Sequence, residues 1–356
     1  MKKNIKFFIT ILFFLVLTIM TAACQMADNP AEVTKPSPGV SEDLSAKDKD
    51  KADPAAGRPE KIIFALDWTP NTNHSGLYLA AQQGFYADEG LEILFQESDM
   101  NFIEMVAAES ASFGIASQEQ VLQARASSAQ IPIVAVAAIV QHNTSGFASP
   151  VDRNIKSPAD FEGMTYSGWG TELELAFIKT LMEKAGADYD QVNIINQSAS
   201  NFIASMEMEA DFAWIYWGWD GINTEVGDYP IDFILLQDID PRLDFYSPLI
   251  ITNETVINEN PELIERFLRA SAKGYQLAIE EPELAVKAIM EAAPELDEEL
   301  LLRSQIWLSD KYIDDASRWG EMKAEIWSSF KDWMLEHNTL ESDPDTSEAF
   351  SNDYLP

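Results

Sequence analysis

Short apolar runs and helical stretches alternate along most of the chain. Runs rich in β-branched and aromatic residues predict strands at 61–66, 91–96, 113–117, 131–140, 164–167, 192–195, 211–216, 231–236 and 247–251. Between them, apolar positions three and four apart predict helices over 75–84, 101–110, 118–127, 172–186 and 199–209. Alternation of this kind argues for an α/β fold, with parallel sheets covered by helices. After residue 252 the pattern is helical almost to the end. Its last helix puts Met322, Ile326, Phe330 and Trp333 on one face, a core stripe and not a cofactor site.

Two places break the rhythm. At Asn143-Thr144-Ser145-Gly146 a long apolar strand gives way to small polar residues, and Asp244-Phe245-Tyr246-Ser247-Pro248 precedes the final strand. If both are crossovers, residues 61–145 and 246–356 form one lobe and 146–245 a second lobe inserted into it. Ligands of open α/β sheets bind at the carboxyl ends of strands, so two such lobes enclose a cleft.

The amino terminus follows different rules. Lys2, Lys3 and Lys6 surround the start of an apolar stretch from Phe7 to Met20, which is short for a membrane span and laid out like an export signal over residues 1–23. It ends in Thr21-Ala22-Ala23-Cys24, which resembles a bacterial lipoprotein signal cleaved ahead of a lipidated cysteine. Thr21 departs from the usual leucine, and an ordinary secretory signal with an incidental cysteine is the alternative. Cys24 is the chain's one cysteine, so an internal disulfide or a cysteine-built metal site is excluded. Residues 24–60 are Ala, Pro, Ser, Asp and Lys with almost no large apolar side chain. Such a segment reads as a disordered tether. The expected arrangement is a globular body held to the outer face of the cell membrane by a lipid.

Composition narrows the function. The chain is 46% hydrophobic and 11% aromatic, enough for two packed cores, and carries a formal net charge of −35. Nucleic acid is therefore excluded as a partner, because phosphate binding needs a basic face. His74, His142 and His337 are too scattered to nominate a metal site, and no cofactor is expected.

The stretch Leu66–Ile93, LDWTPNTNHSGLYLAAQQGFYADEGLEI, resembles the opening of the thiamine-precursor binding family. Further matches follow in order: Phe113-Gly114-Ile115-Ala116-Ser117, Gly168-Trp169-Gly170-Thr171-Glu172-Leu173-Glu174, and Asn260-Pro261-Glu262 leading to Phe267-Leu268-Arg269-Ala270. The match covers most of residues 61–290, and its first motif is the specific one. The resemblance implies a type II periplasmic-binding-protein fold of two lobes. It also implies capture of a thiamine-derived pyrimidine, of the formylaminopyrimidine or hydroxymethylpyrimidine type, for an ABC permease and its ATPase. The family also includes the fungal enzyme that makes the pyrimidine, using a lysine, a histidine and a cysteine-rich iron patch. Alignment sets Ala116 at the lysine, Gln120 at the histidine and Phe245-Tyr246-Ser247-Pro248 at the cysteine patch, so the enzyme reading is disfavoured. A receptor of the same fold for a sulfonate or nitrate is the nearer alternative. Such anions would favour Arg or Lys at strand ends, and the strand-end stretches quoted hold none.

A flat aminopyrimidine needs rings to stack on and a carboxylate that answers its amino group and ring nitrogen together. Candidate ligand contacts all sit at strand ends: Asp67, Trp68, Asn71 and His74 after the first strand, and Ser117 and Glu119 after the third. The others are Gly168, Trp169, Gly170, Thr171 and Glu172, then Tyr216, Trp217 and Trp219, and Tyr246 at the second crossover. Structural roles stand beside these. Trp68 can cap the core, Asp67 can brace its turn, His74 can be a satisfied structural histidine, and Glu119 can be a first-turn acid favoured by the helix dipole.

Overall fold

The computed structural model describes residues 58–98, 101–196 and 202–356. The expected export signal, Cys24 and the tether up to residue 57 lie outside the described residues, as do the first residues of the helix expected at 199–209.

Among the described residues, ten strands form two five-stranded sheets. Five of them make the first sheet, in the order β2-β1-β3-β10-β4: β1 (Glu60–Leu66), β2 (Leu91–Glu97), β3 (Phe113–Ala116), β4 (Ile133–Ala138) and β10 (Leu249–Asn253). The second has the order β7-β6-β8-β5-β9, from β5 (Ser145–Pro150), β6 (Thr165–Gly168), β7 (Asn193–Asn196), β8 (Phe212–Tyr216) and β9 (Ile231–Leu235). The two orders correspond strand for strand. β1 occupies the place in its sheet that β6 occupies in the other, and β3 the place of β8. The carboxyl ends of these four strands carry most of the candidate residues.

The sheets are mixed rather than parallel, which corrects the expectation. β1 runs parallel to β2 and β3, and β6 parallel to β7 and β8. β10 is antiparallel to β3 and β4, and β5 to β8 and β9. The crossovers cause this. Each of these two strands begins where the chain arrives from the other sheet, at the carboxyl ends of its neighbours, so it runs against β3 or β8. β5 itself was not expected. Its sequence, SGFASP, has one large apolar residue, yet every position is buried between β8 and β9.

Each sheet is covered by helices with aromatic cores. Phe267, on the helix Pro261–Glu280, stacks on Phe113 with centroids 4.1 Å apart and also packs on Phe64 and Tyr86. In the second sheet Phe161 stacks on Phe212 at 4.2 Å. The expected last helix is Ala324–Glu336, which buries Trp327, Phe330, Trp333 and Met334. Trp333 stacks on Phe177 of the helix Glu172–Ala185, and Phe330 on Phe245 of the second crossover. The carboxyl-terminal region thus packs against the helix that follows β6. The fold class is α/β, with two mixed sheets in a two-lobed arrangement.

Candidate functional site

The turn after β1 is built around a buried histidine. His74 is wholly buried, and its Nδ1 accepts a hydrogen bond from the Asn71 N–H at 3.2 Å. That ring nitrogen therefore carries no proton. Nε2 does, and it donates to Asp67 Oδ1 at 3.0 Å. The histidine thus fixes the rotamer of an acid whose side chain remains 30% exposed. Asn71 spends its side chain locally, accepting from Asn73 N–H at 2.9 Å and donating to the Thr69 carbonyl at 3.1 Å. The two shape the turn; Asp67 and Trp68 are what the turn presents. Trp68 is 51% exposed, which core capping does not explain.

After β3, Ser117 and Gln120 cap the helix Gln118–Ala126 reciprocally, with Ser117 N–H and hydroxyl both donating to Gln120 Oε1 at 3.0 Å. Gln118 is buried: its Oε1 accepts from Tyr246 N–H at 3.0 Å, and its own N–H donates to the Tyr246 carbonyl. Tyr246 is itself fully buried, and its hydroxyl accepts from Lys323 N–H at 2.8 Å. The structure places it in the core at the crossover, where it offers no surface to a ligand; the sequence showed only its position beside a break.

Glu119 is different. It is buried, yet its Oε2 has no hydrogen-bond partner. Burial pushes its carboxyl up to about 7, and the Ser117 hydroxyl and its own N–H, which favour the charged form, offset only part of that. Tyr216, at the end of β8, is its neighbour across the lobes. Burial raises the Tyr216 hydroxyl, with the Glu119 and Asp67 carboxylates adding to the effect. Ser247, beside Tyr246, donates to the Tyr216 hydroxyl at 3.2 Å. The carboxylates of Asp67 and Glu119, at two strand ends, thus both act on Tyr216 at a third.

After β6, the glycine-rich loop closes on an acid that the sequence reading passed over. Glu174 is fully buried and takes four hydrogen bonds, from the Tyr166 hydroxyl (3.0 Å), Trp169 N–H (3.2 Å), Thr171 N–H (2.8 Å) and the Thr171 hydroxyl (3.1 Å). Thr171 Oγ1 in turn accepts from Glu174 N–H at 3.2 Å, completing a capping box. Gly170 has φ of +73°, where a side chain would be strained, and a Cβ there would strike Asn196. The loop so held presents Trp169, 58% exposed, and the exposed first-turn acid Glu172.

The aromatic run after β8 divides. Trp217 opens a π-helical turn, Trp217–Gly221, and packs on Phe233 with centroids 4.9 Å apart. It lines a cavity of about 680 Å³ beside the crossovers, together with His142, Asp244, Trp307 and Lys311. Trp219 packs with Val286, Ile289 and Leu301. Each histidine has its own partners: His142 lies between Asp244 (2.7 Å) and Asp315 (3.3 Å), which raise its pKa, and His337 lies 2.9 Å from the Thr180 hydroxyl.

Comparisons with known proteins agree with this architecture. A family model described as "NMT1/THI5 like" matches residues 71–285. The formylaminopyrimidine-binding protein of Halalkalibacterium halodurans is 28% identical over 307 residues, which are 82% of this chain and 90% of that one. The riboflavin-binding protein RibY of Chloroflexus aurantiacus is 24% identical, across 83% of this chain and 86% of that protein. More distant relatives are 4-amino-5-hydroxymethyl-2-methylpyrimidine phosphate synthases. Among solved structures, the aliphatic sulphonate-binding protein SsuA of Escherichia coli superposes with a TM-score of 0.63 at 13% identity, covering 82% of this chain and 97% of that one; this likeness concerns the fold alone. The family model spans well over half of the chain, and the chain belongs to the NMT1/THI5-like family.

Proposed function

We propose that this protein is an extracytoplasmic substrate-binding protein of an ABC importer, and that its ligand is a thiamine-derived aminopyrimidine such as formylaminopyrimidine. One observation carries the choice of ligand. Glu119, at the strand end after β3, keeps a buried oxygen without a partner, and the turns after β1 and β6 present the exposed Trp68 and Trp169. A buried polar atom left unpaired costs about 1–3 kcal/mol, and a ligand that donates to it recovers that cost. An aminopyrimidine presents an amino donor beside a ring nitrogen, and a carboxyl held near neutrality can meet either protonation state of that ring. Trp68 and Trp169 supply the stacking faces, and Tyr216, Asp67 and Glu172 supply further polar contacts. The similarity to a formylaminopyrimidine-binding protein supports the same reading.

Binding rather than synthesis fits the chemistry at the strand ends. Gln120, aligned with the synthases' histidine, gives its carboxamide to the cap of Ser117. Ala116, aligned with their lysine, is a buried methyl group at the end of β3. Isothermal calorimetry on the protein with formylaminopyrimidine, hydroxymethylpyrimidine, riboflavin and an aliphatic sulphonate tests the proposal. Formylaminopyrimidine or its hydroxymethyl relative is expected to bind tightest, and tighter binding of riboflavin or the sulphonate would overturn it.

Anchoring by a lipid on Cys24 belongs to the same proposal. The Thr21-Ala22-Ala23-Cys24 pattern supports it. Cys24→Ser is expected to move the protein from the membrane fraction to the soluble fraction, and unchanged membrane retention would remove the anchor from the proposal.

A further inference from the structure

The helix Glu298–Ser309 belongs to neither sheet, yet it touches the turns that flank the cleft on both sides. Ser304, fully buried in that helix, donates a hydrogen bond to the Gly218 carbonyl in the turn after β8. The same hydroxyl lies 2.6 Å from Thr72 Oγ1 in the turn after β1. A hydroxyl has one proton, and that of Ser304 goes to a carbonyl, so Thr72 must be the donor of the second bond. The chain therefore runs from Thr72 to Ser304 to Gly218, joining the turn that presents Trp68 to the turn that follows Tyr216.

The surroundings hold this chain in place. The Thr72 carbonyl accepts from the Tyr312 hydroxyl at 2.7 Å, so the first turn is fixed from behind. Asp297 caps the helix through Leu300 N–H at 2.9 Å, which sets its register. On the other side, a Cβ at Gly218 would lie 3.0 Å from Leu308 Cδ2 and 3.2 Å from the Trp307 ring. A side chain there would crowd Leu308 and Trp307, so Gly218 suits the close approach of the helix.

We infer that the helix Glu298–Ser309 is the latch of the closed cleft and that Ser304 is its positioning residue, joining the two ligand-flanking turns without touching the ligand. The inference rests on the binding reading, because the latch matters to function only if the two lobes close on one ligand. Opening the cleft must break at least one bond of the relay. A neutral hydrogen bond contributes about 1 kcal/mol net, enough to bias an opening equilibrium and small enough to be reversed. The latch should therefore govern release more than capture, as interface changes mostly do.

Two substitutions remove one hydroxyl each. Thr72→Val is nearly isosteric and loses the donor; Ser304→Ala loses the central group; Thr72→Ser keeps the hydroxyl. Hydrogen–deuterium exchange of the ligand-free protein is expected to show the 72–75 and 218–221 amides exchanging faster together in Thr72→Val and Ser304→Ala, with Thr72→Ser close to the parent. Stopped-flow release of formylaminopyrimidine is expected to quicken about fivefold in the same two variants, with association nearly unchanged. Combining the two substitutions should add little, since either one breaks the relay. Unchanged exchange in both turns would overturn the latch, and so would equal acceleration in Thr72→Ser, which would make the effect one of packing. If Ser304→Ala does not fold, the Thr72 pair decides by the same measures. The exchange experiment contains no ligand, so a wrong choice of pyrimidine leaves its outcome intact.

Discussion

The turns after β1 and β6 occupy equivalent places in the two sheets, and each presents an exposed tryptophan beside an acid. They are built in opposite ways. In the first, the acid faces outward: Asp67 stays partly exposed, and the buried His74 behind it provides the rigidity. In the second, the acid is inside: Glu174 is surrounded by four donors and holds the loop while Trp169 and Glu172 face out. The strand ends beside them repeat the contrast. Glu119, after β3, is as buried as a structural acid but lacks a full set of donors. An acid's role in this cleft thus follows from whether its oxygens are already satisfied, more than from how exposed it is.

Removing the satisfied acid should have the largest effect. Glu174→Ala leaves the Tyr166 hydroxyl and the Trp169 and Thr171 N–H groups without their acceptor. We expect a loss of about 3 kcal/mol in stability, read from the urea midpoint, with ligand binding lost as the loop relaxes. Glu119→Gln should do the reverse. The free protein satisfies that carboxyl only in part, so stability should change little, while affinity falls about 10–100-fold with the loss of a charge-assisted partner. Its pH dependence provides an independent check. Because the folded pKa of Glu119 is raised from 4.5 to about 7, the folded state holds the proton more tightly than the unfolded chain. This contribution to stability is complete below about 4.5, fades as the pH rises towards about 7, and is absent above. Denaturation across that window should show the slope in the parent and a flatter profile in Glu119→Gln. Equal slopes would mean that Glu119 titrates as an ordinary surface acid.

Much of this contrast was legible in the sequence, and the part that was not has a common cause. Apolar runs such as Ile133–Ala138 and Phe113–Ala116 announce strands because their side chains are buried by the strand itself. β5 was not announced, since SGFASP is buried by its neighbours. A Cβ at Gly146 would lie 2.3 Å from the Ile234 carbonyl, so small residues are required there by a strand almost ninety residues away in sequence. The same holds within the site. Ser117 and Thr171 were visible as helix starts, and Glu174 could have been found as the third residue after Thr171 in a capping box. Glu119 could not be told from an ordinary first-turn acid, because its burial and its unpartnered oxygen arise only in the folded chain. The burial of Tyr246 was illegible for the same reason: its contacts with Gln118 and Lys323 are both long-range. Ser304 carried no local signal at all, being a serine within an amphipathic helix.

The smallest effects should come from the two tryptophans, and they test whether the cleft treats its two walls alike. Trp68 and Trp169 are each more than half exposed, so neither contributes much to the core, and Trp68→Ala and Trp169→Ala should leave the urea midpoint nearly unchanged. A ring stacked on a flat ligand is worth about 0.5–1.5 kcal/mol, so each substitution should weaken pyrimidine binding about two- to tenfold. The equivalent strand positions predict comparable losses, and the different supports predict a difference in rate. The Trp169 loop hangs on one buried acid and two glycines, whereas the Trp68 turn is held by His74 and, through Thr72, by the helix beyond. Trp68→Phe and Trp169→Phe keep a stacking face and should recover most of the affinity in calorimetry. If one alanine variant binds as tightly as the parent, the ligand rests on one wall only, and the equivalence of the two turns stops at the backbone.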